Sequence, residues 1–302
     1  MSLAPHRVDY TPIIDRPKIT WPNGARVAFW VSPNVEHYEY VPEFDGIRNP
    51  WPRTPYPDVR EYSYRDYGNR VGFWRMLEVM DRYEIKCCVS LNMAVLEHYP
   101  EMAEAMMKRD WDFMNHGIYN TIYLSGYTEE QERAFYQDCI ETLRKHTGKL
   151  LKGMLGPAVS NTVGTPDLMA EAGLIYHTDW VHDDQPVPIN VASGKLISVP
   201  YSFELNDAPT FRTHFDGDYF VRMCKAQFDQ LYEEGEESGR VMCISLHPYA
   251  IGQPHRIKYL DEVLKYIMSH DGVWQTTADE IAEYYISNYY DATVAHAKTI
   301  NS

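Results

Sequence analysis

The sequence has little positive charge and no long apolar run, and each absence excludes a class of protein. Its 302 residues include 28 lysines and arginines against 43 aspartates and glutamates, a formal net charge of -15. Nucleic acid and anionic membranes bind basic surfaces, so neither is an expected partner. No segment has the pattern of a signal peptide, and no apolar run is long enough to cross a bilayer. We therefore expect a cytoplasmic protein that acts on a small molecule.

Cysteine is also scarce, and its spacing excludes the common disulfide and zinc-finger patterns. The five cysteines are odd in number and form no CxxC pair. We expect buried, reduced thiols. The hydrophobic share of 44% and the charged share of 24% are those of an ordinary globular protein. The length suits one α/β barrel, so we expect a single domain over residues 1–302.

Short β-rich runs alternate with longer helical patterns from about residue 26 to residue 290. This alternation is typical of β/α units around a parallel sheet. Several runs are apolar at consecutive positions, as strands that are buried on both faces must be. The predicted strands are residues 26–33, 86–92, 111–117, 151–157, 173–180, 196–202 and 240–247, with 273–277 as an eighth. The sequence thus predicts an α/β fold, a parallel (β/α) barrel of seven or eight strands.

Helix ends are marked by capping residues. Thr128, followed three positions later by glutamine, predicts a capping box, and Gly148 predicts the end of the same helix. Thr165 and Thr277 are predicted to cap two later helices.

Residues 41–64 interrupt the alternation with five prolines and many aromatic rings. A loop of this length inside a compact domain is usually functional, and we expect either a lid over the site or a subunit contact. Residues 1–20 are expected to form an N-terminal arm and residues 291–302 a tail. The aromatic loop and the tyrosine-rich segment 283–290 suggest a homo-oligomer, a dimer or tetramer, with core packing of the rings as the alternative.

Polar residues stand at the ends of four predicted strands. In a parallel barrel the active site forms where the carboxyl ends of the strands meet. Taken singly, each residue has a structural explanation, such as a hydrogen-bonded histidine, a salt-bridged glutamate, a capping aspartate or a core tryptophan. Together they indicate a catalytic rim. These residues are Glu36 and His37 after the first strand, His116 at the third, Asp179 and Trp180 at the fifth, and His247 at the seventh.

At these residues the sequence resembles the polysaccharide deacetylase (NodB-homology, carbohydrate esterase 4-like) superfamily, over most of the chain. Residues 244–247 match its last motif, which ends in Leu-His, and Asp179 with Trp180 match its Asp-Trp motif. His116 matches the first histidine of its metal-binding motif. The resemblance implies a deformed (β/α) barrel that hydrolyses amide-type carbon–nitrogen bonds.

Departures from the family pattern are equally informative. Glu36 and His37 stand where the family has two adjacent aspartates, Asn120 replaces the second metal-binding histidine, and residues 155–159 lack the arginine of the third motif. The usual Asp-His-His metal triad is therefore absent as such. This altered pattern is similar to a branch typified by the bacterial allantoinase of purine catabolism, which is described as metal-independent. Residues 65–75, 160–162, 165–173 and 247–256 resemble that branch.

Hydrolysis of an unactivated amide needs a base for water, donors for the developing oxyanion and an acid for the leaving nitrogen. We predict Glu36 as the base, with its pKa raised by burial among aromatic side chains. His247 is predicted to be the acid, and His116 with Asn120 to hold the carbonyl oxygen. The resemblance implies a small cyclic ureide, imide or related amide as the substrate.

Three further residues are predicted to bind substrate. Asp179 would line the pocket and orient His247, and Trp180 would stack on a planar ring. Arg256 would meet a carbonyl or carboxylate, with a solvated arginine at a helix start as the alternative.

A rival arrangement keeps a metal. Glu36, His37 and His116 could hold a single divalent ion such as zinc, with water at the fourth position. We favour no required cofactor, because adjacent side chains diverge on an extended strand and an amide at Asn120 is a weak ligand. The alternative function is a metal-dependent N-deacetylase of a polysaccharide or acetylated small molecule. A third hypothesis is a catalytically inactive barrel that binds a sugar or metabolite.

Overall fold

A computed structural model describes residues 7–43, 57–213 and 216–300. Within these residues nine strands form one sheet. The strands are β1 (Val27–Val35), β2 (Cys88–Leu91), β3 (Asp112–Asn115), β4 (Gly153–Met154), β5 (Tyr176–His177), β6 (Val187–Ile189), β7 (Leu196–Ser198), β8 (Arg240–Leu246) and β9 (Val273–Thr276). Their order is β6-β7-β5-β4-β3-β2-β1-β8, and β9 also pairs with β1. Every pair is parallel except β6 with β7.

Helices connect the strands. The α-helices are α1 (Val59–Tyr67), α2 (Phe73–Arg82), α3 (Ala94–His98), α4 (Pro100–Lys108), α5 (Glu129–Thr147), α6 (Thr165–Glu171), α7 (Asp207–Arg212), α8 (Gly217–Glu234), α9 (Pro248–Ile251), α10 (Ile257–Met268), α11 (Ala278–Asn288) and α12 (Tyr290–Ile300). A π-helical segment, Gly68–Gly72, joins α1 to α2. No helix in the described part of the chain is long and apolar enough to span a bilayer.

The predicted α/β fold with a curled, mostly parallel sheet is confirmed. All eight predicted strands occur, and the structure adds β6. This strand has only three residues, one of them Pro188, so it leaves little periodic signal in the sequence. All five cysteines are buried and free, as predicted.

Strand β1 is an interior strand of the sheet, and all nine of its residues are buried. One edge pairs with β8 from Val27 to Pro33. The other edge pairs first with β9 and then, at Asn34 and Val35, with β2. Because helices cover the sheet, a buried strand of this kind has consecutive apolar positions, here Val27 to Val31.

Most predicted helix ends are confirmed. Both hydrogen bonds of the capping box at Thr128 are present, and α5 ends at Gly148, whose φ of 72° is left-handed. Thr277 caps α11. Thr165 differs from the prediction, because it is the first residue of α6 and its hydroxyl donates to buried Glu132.

The predicted loop at residues 41–64 contains the start of a helix. Asp58 caps α1 by accepting a hydrogen bond from the backbone amide of Glu61. The proline-rich composition of the segment concealed this helix start in the sequence. Residues 44–56 lie outside the described residues, as do residues 1–6 of the predicted arm and 301–302 of the predicted tail. The rest of that tail is α12.

Candidate active site

Three strand ends bring Glu36, His116 and His247 together. Glu36 directly follows β1, His247 follows β8, and His116 follows β3. Strands β1 and β8 are paired along their length, whereas β3 is separated from β1 only by β2. Since the carboxyl ends of parallel strands point the same way, the next residue of each strand reaches the same mouth of the sheet.

The Oε1 atom of Glu36 lies between two imidazole rings. It is 3.4 Å from Nε2 of His116 and 3.5 Å from Nε2 of His247. All three side chains are more than nine-tenths buried. Such a group resembles the acid–base pairs that enzymes use, because each partner lies close to the hydrogen-bonding distance of the other.

Each imidazole is anchored through its other nitrogen. His247 Nδ1 lies 2.8 Å from Oδ1 of Asp207, a fully buried residue whose carboxylate also accepts the amides of His247 and Ile251. His116 Nδ1 lies 2.7 Å from the carbonyl oxygen of Leu155. A carbonyl only accepts, so this ring carries its proton on Nδ1. In both rings Nε2 is therefore the atom that faces Glu36.

The second carboxylate oxygen of Glu36 is held separately. The hydroxyl of Tyr38 donates to Oε2 at 2.9 Å, and the amide of Asn120 donates to that hydroxyl. The guanidinium of Arg65 lies 4.4 Å above the ring of Tyr38 and is bound to Glu61 at 2.6 Å. Asn120 thus acts on Glu36 through Tyr38.

The electrostatics differ from the expectation for Glu36. Burial alone would raise its pKa, but the neighbouring rings of His247 and His116 outweigh burial and hold that pKa well below its usual range. Burial alone would lower the pKa of His247, yet the charge of Glu36 and the hydrogen bond of Asp207 raise it to about 9. At neutral pH the pair is therefore a carboxylate beside an imidazolium.

These residues line a cavity of about 310 Å³. Its wall includes Ala158 and Val159, whose φ angles of 50° and 57° are left-handed and strained for residues with a side chain. The volume is at the small end for ligand sites and matches a single small ring. Other lining residues are Asn34, Arg65, Tyr201, Phe203, Asn206, Ala208, Arg212 and Tyr249.

The π-helical segment lies directly behind this cavity. Asn69 donates to the backbone carbonyl of Glu36 at 2.8 Å. A Cβ atom on Gly72 would lie 2.0 Å from the carbonyl oxygen of Pro248, so only glycine permits this close approach. The segment 65–75 therefore positions the backbone on both sides of the acid–base pair.

Asp179 does not contact His247. Its carboxylate lies 3.0 Å from Nε2 of His177 and accepts hydrogen bonds from Gly156 and Asn161. Asp179 and Trp180 line a separate neighbouring cavity of about 930 Å³. Through Gly156, Asp179 holds the turn that lines the cavity beside Glu36, whereas Asp207 occupies the position beside His247.

The metal arrangement is not assembled. His37 turns away from Glu36, stacks on His98 at 4.3 Å and lies 3.1 Å from the hydroxyl of Tyr99. Burial and the nearby ring of His98 lower the pKa of His37 to about 4. No group of three histidine, cysteine, aspartate or glutamate side chains in the described ranges is arranged to hold a metal. The residues therefore do not fit the metal of the wider family.

Arg256 also lies outside the cavity beside Glu36. Its guanidinium packs 4.3 Å above the ring of Phe211 and donates to the carbonyl of Ala250. The arginines that line the cavity are instead Arg65 and Arg212.

Sequence reasoning missed Asp207 and Tyr38. Asp207 lies 40 residues before His247 in a stretch without strand periodicity, and only an asparagine cap before it marks a short helix. Tyr38 stands two residues after Glu36, and one tyrosine among 24 carries no signal of its own.

The chain is similar to known proteins over most of its length. A family model, Polysaccharide deacetylase, matches residues 62–177. A Schizosaccharomyces pombe protein assigned to the polysaccharide deacetylases is 27% identical over 303 residues, which cover 87% of this chain and 91% of that protein. The crystal structure of the allantoinase PuuE superposes with a TM-score of 0.79 at 27% identity and covers 93% of this chain and 99% of that chain. A Pseudomonas aeruginosa PAO1 protein classed as a polysaccharide deacetylase gives 0.78 at 28% identity and covers 91% and 96%.

The fold is that of the NodB-like deformed barrel. Residues 62–177 match the polysaccharide deacetylase family, and the chain is similar in sequence and fold to hydrolases of carbon–nitrogen bonds.

Proposed function

We propose that the protein hydrolyses a carbon–nitrogen bond in a small cyclic ureide, imide or related amide. The observation that carries the proposal is the placement of Glu36 Oε1 between two anchored imidazoles at the floor of a cavity of about 310 Å³. A cavity of this size encloses one ring, whereas a polymer needs an open groove. The similarity to the allantoinase PuuE over almost the full length of both chains supports this substrate class.

In the proposed mechanism Glu36 accepts a proton from water as the water attacks the bound carbonyl carbon. His247 is protonated below about pH 9 and donates its proton to the departing nitrogen. His116 holds the carbonyl oxygen. It can donate from Nε2 only when the ring carries both protons, because Nδ1 already donates to Leu155.

A screen of allantoin, hydantoin, succinimide and linear formamides, each with and without chelator, tests the proposal. We expect ring opening that survives chelation. Glu36→Gln should lower kcat by about 10²–10⁴-fold, the usual contribution of positioned acid–base catalysis. Glu97→Gln, on the surface of α3, is the control and should keep full activity. Full activity in Glu36→Gln would remove Glu36 as the base.

A metal-dependent N-deacetylase is the second candidate, because the family model and two of the similar proteins bear the deacetylase name. Acetate release from chitin oligomers that stops on chelation, without hydrolysis of any cyclic amide, would favour it over our proposal.

A further inference from the structure

Arg212 is a basic side chain at the catalytic cavity without a partner in the described ranges. It is exposed at the end of α7, and no hydrogen bond or ion pair joins its side chain to residues 7–43, 57–213 or 216–300. The other lining arginine, Arg65, is bound to Glu61 at 2.6 Å and packs on Tyr38. Arg212 is therefore the lining cation that can form its ion pair with a bound molecule.

Helix α7 connects Arg212 to the catalytic acid. Ala208 and Arg212 are four residues apart, so they share a face of the helix, and both line the cavity. Asp207 lies on a different face and accepts hydrogen bonds from His247 and Ile251. The same short helix therefore orients the acid and presents a cation at the cavity wall.

The charges around the cavity would orient an anionic ligand. Glu36 and Asp207 carry two negative charges against one positive charge on His247, and the whole chain has a net charge of -15. An acidic group on a ligand is repelled by these carboxylates and attracted to Arg212. The uncharged part of the ligand is then left beside Glu36 and His247.

We propose that Arg212 is a specificity-determining residue that binds a carboxylate of the substrate. The substrate class is then a cyclic ureide or imide with an acidic side group away from the scissile bond. This inference rests on the proposed function. In the reaction the carbonyl carbon gains the hydroxyl of water, the ring carbon–nitrogen bond breaks, and the nitrogen leaves with the proton of His247, while Glu36 takes the proton of water.

Hydantoin-5-acetate and unsubstituted hydantoin are a matched pair of probes. We expect the wild type to prefer the acetate, and Arg212→Gln to lower kcat/KM for the acetate about tenfold, as for a partly exposed charge-assisted contact. The rate on hydantoin should fall much less than the rate on the acetate, because hydantoin has no carboxylate for Arg212 to bind. Arg222→Gln, an exposed arginine on α8, is the control and should leave both rates unchanged.

Binding to the Glu36→Gln variant gives a second readout that needs no turnover. Calorimetry should show tighter binding of the acetate than of hydantoin, and Arg212→Gln added to this variant should abolish the difference. The inference would be overturned if the preference for the acetate over hydantoin were equal with and without Arg212, or if the acetate did not bind. It would also be overturned if only Arg256→Gln lost that preference. A wild type that opens no cyclic amide at all would instead refute the proposed function.

Discussion

In the proposed mechanism, replacing Asp207 by asparagine should weaken His247 as the acid without removing it. Asp207 is fully buried, and its two oxygens accept from the ring Nδ1 and the amide of His247 and from the amide of Ile251. Asparagine replaces one acceptor with a donor, so at least one charge-assisted hydrogen bond is lost. Such a bond contributes about 1.5–3 kcal/mol. If the transition state loses all of it, kcat falls about tenfold to hundredfold.

The pH profile gives the decisive readout for Asp207→Asn. The pKa of His247 is raised to about 9 by Glu36 and Asp207, so the protonated, active form is lost as pH rises through about 9. Without the charge of Asp207 this pKa falls, and the alkaline limb of kcat/KM should move to lower pH. The assay is ring opening of the best substrate from the screen between pH 5 and 10.

A control and a structural check complete this experiment. Asp216→Asn alters the N-cap of α8, which lies outside the cavity, and should keep the wild-type profile. If the variant only loses folded protein, the rate falls by the same factor at every pH. If the pKa of His247 changes, the alkaline limb of the kcat/KM profile moves. An alkaline limb that stays near pH 9, with kcat within about twofold of the wild type, would refute the role of Asp207.

Two further substitutions test the surroundings of the site and the far end of the barrel. Tyr38→Phe removes the hydrogen-bond donor to Glu36 Oε2. We expect kcat to fall about tenfold and the acid limb of the pH profile to move to higher pH. A pH profile with unchanged limbs would count against Tyr38 as a positioning residue. Burial, with the charge of Asp112, raises the pKa of Asp279 to about 7 from its ordinary 3.8. The folded state then holds this proton more tightly, so stability declines as pH rises from about 4 through about 7. In thermal melts at pH 8, Asp279→Asn should therefore raise Tm by about 2–4 °C for each kcal/mol of unfolding free energy that it recovers. The increase in Tm should be smaller at pH 5. An equal increase at both pH values would contradict this explanation.

The sequence was sufficient to predict the sheet. Short β-rich runs that alternate with helical patterns predicted eight strands, and several of these runs are apolar at consecutive positions, as strands covered on both faces must be. Parallel strands bring their carboxyl ends together, so Glu36, His116 and His247 could be expected at one mouth without any knowledge of distances. The antiparallel β6 was too short for a periodic signal.

The partners of these residues could not be predicted in the same way. Asp179 and Asp207 are both acidic residues beside barrel elements, and nothing in their spacing tells which carboxylate points at His247. Whether the pKa of Glu36 is raised or lowered depends on the contacts of its Oε1 atom with Nε2 of His116 at 3.4 Å and with Nε2 of His247 at 3.5 Å. Burial and charge act in opposite directions there, and only the geometry decides which is larger.

A carboxylate with a lowered pKa is a weak base when considered alone, but in the proposed mechanism Glu36 is coupled to His247 as its acid. In that mechanism the pair is Glu36 carboxylate with His247 imidazolium before the reaction, and it is a carboxylic acid with a neutral imidazole after both proton transfers. The total charge of the pair is the same in both states, which favours the exchange in a buried cavity where separated charge is costly. As His247 gives its proton to the leaving nitrogen, the cation that lowered the pKa of Glu36 disappears, and Glu36 becomes a stronger base as the reaction proceeds.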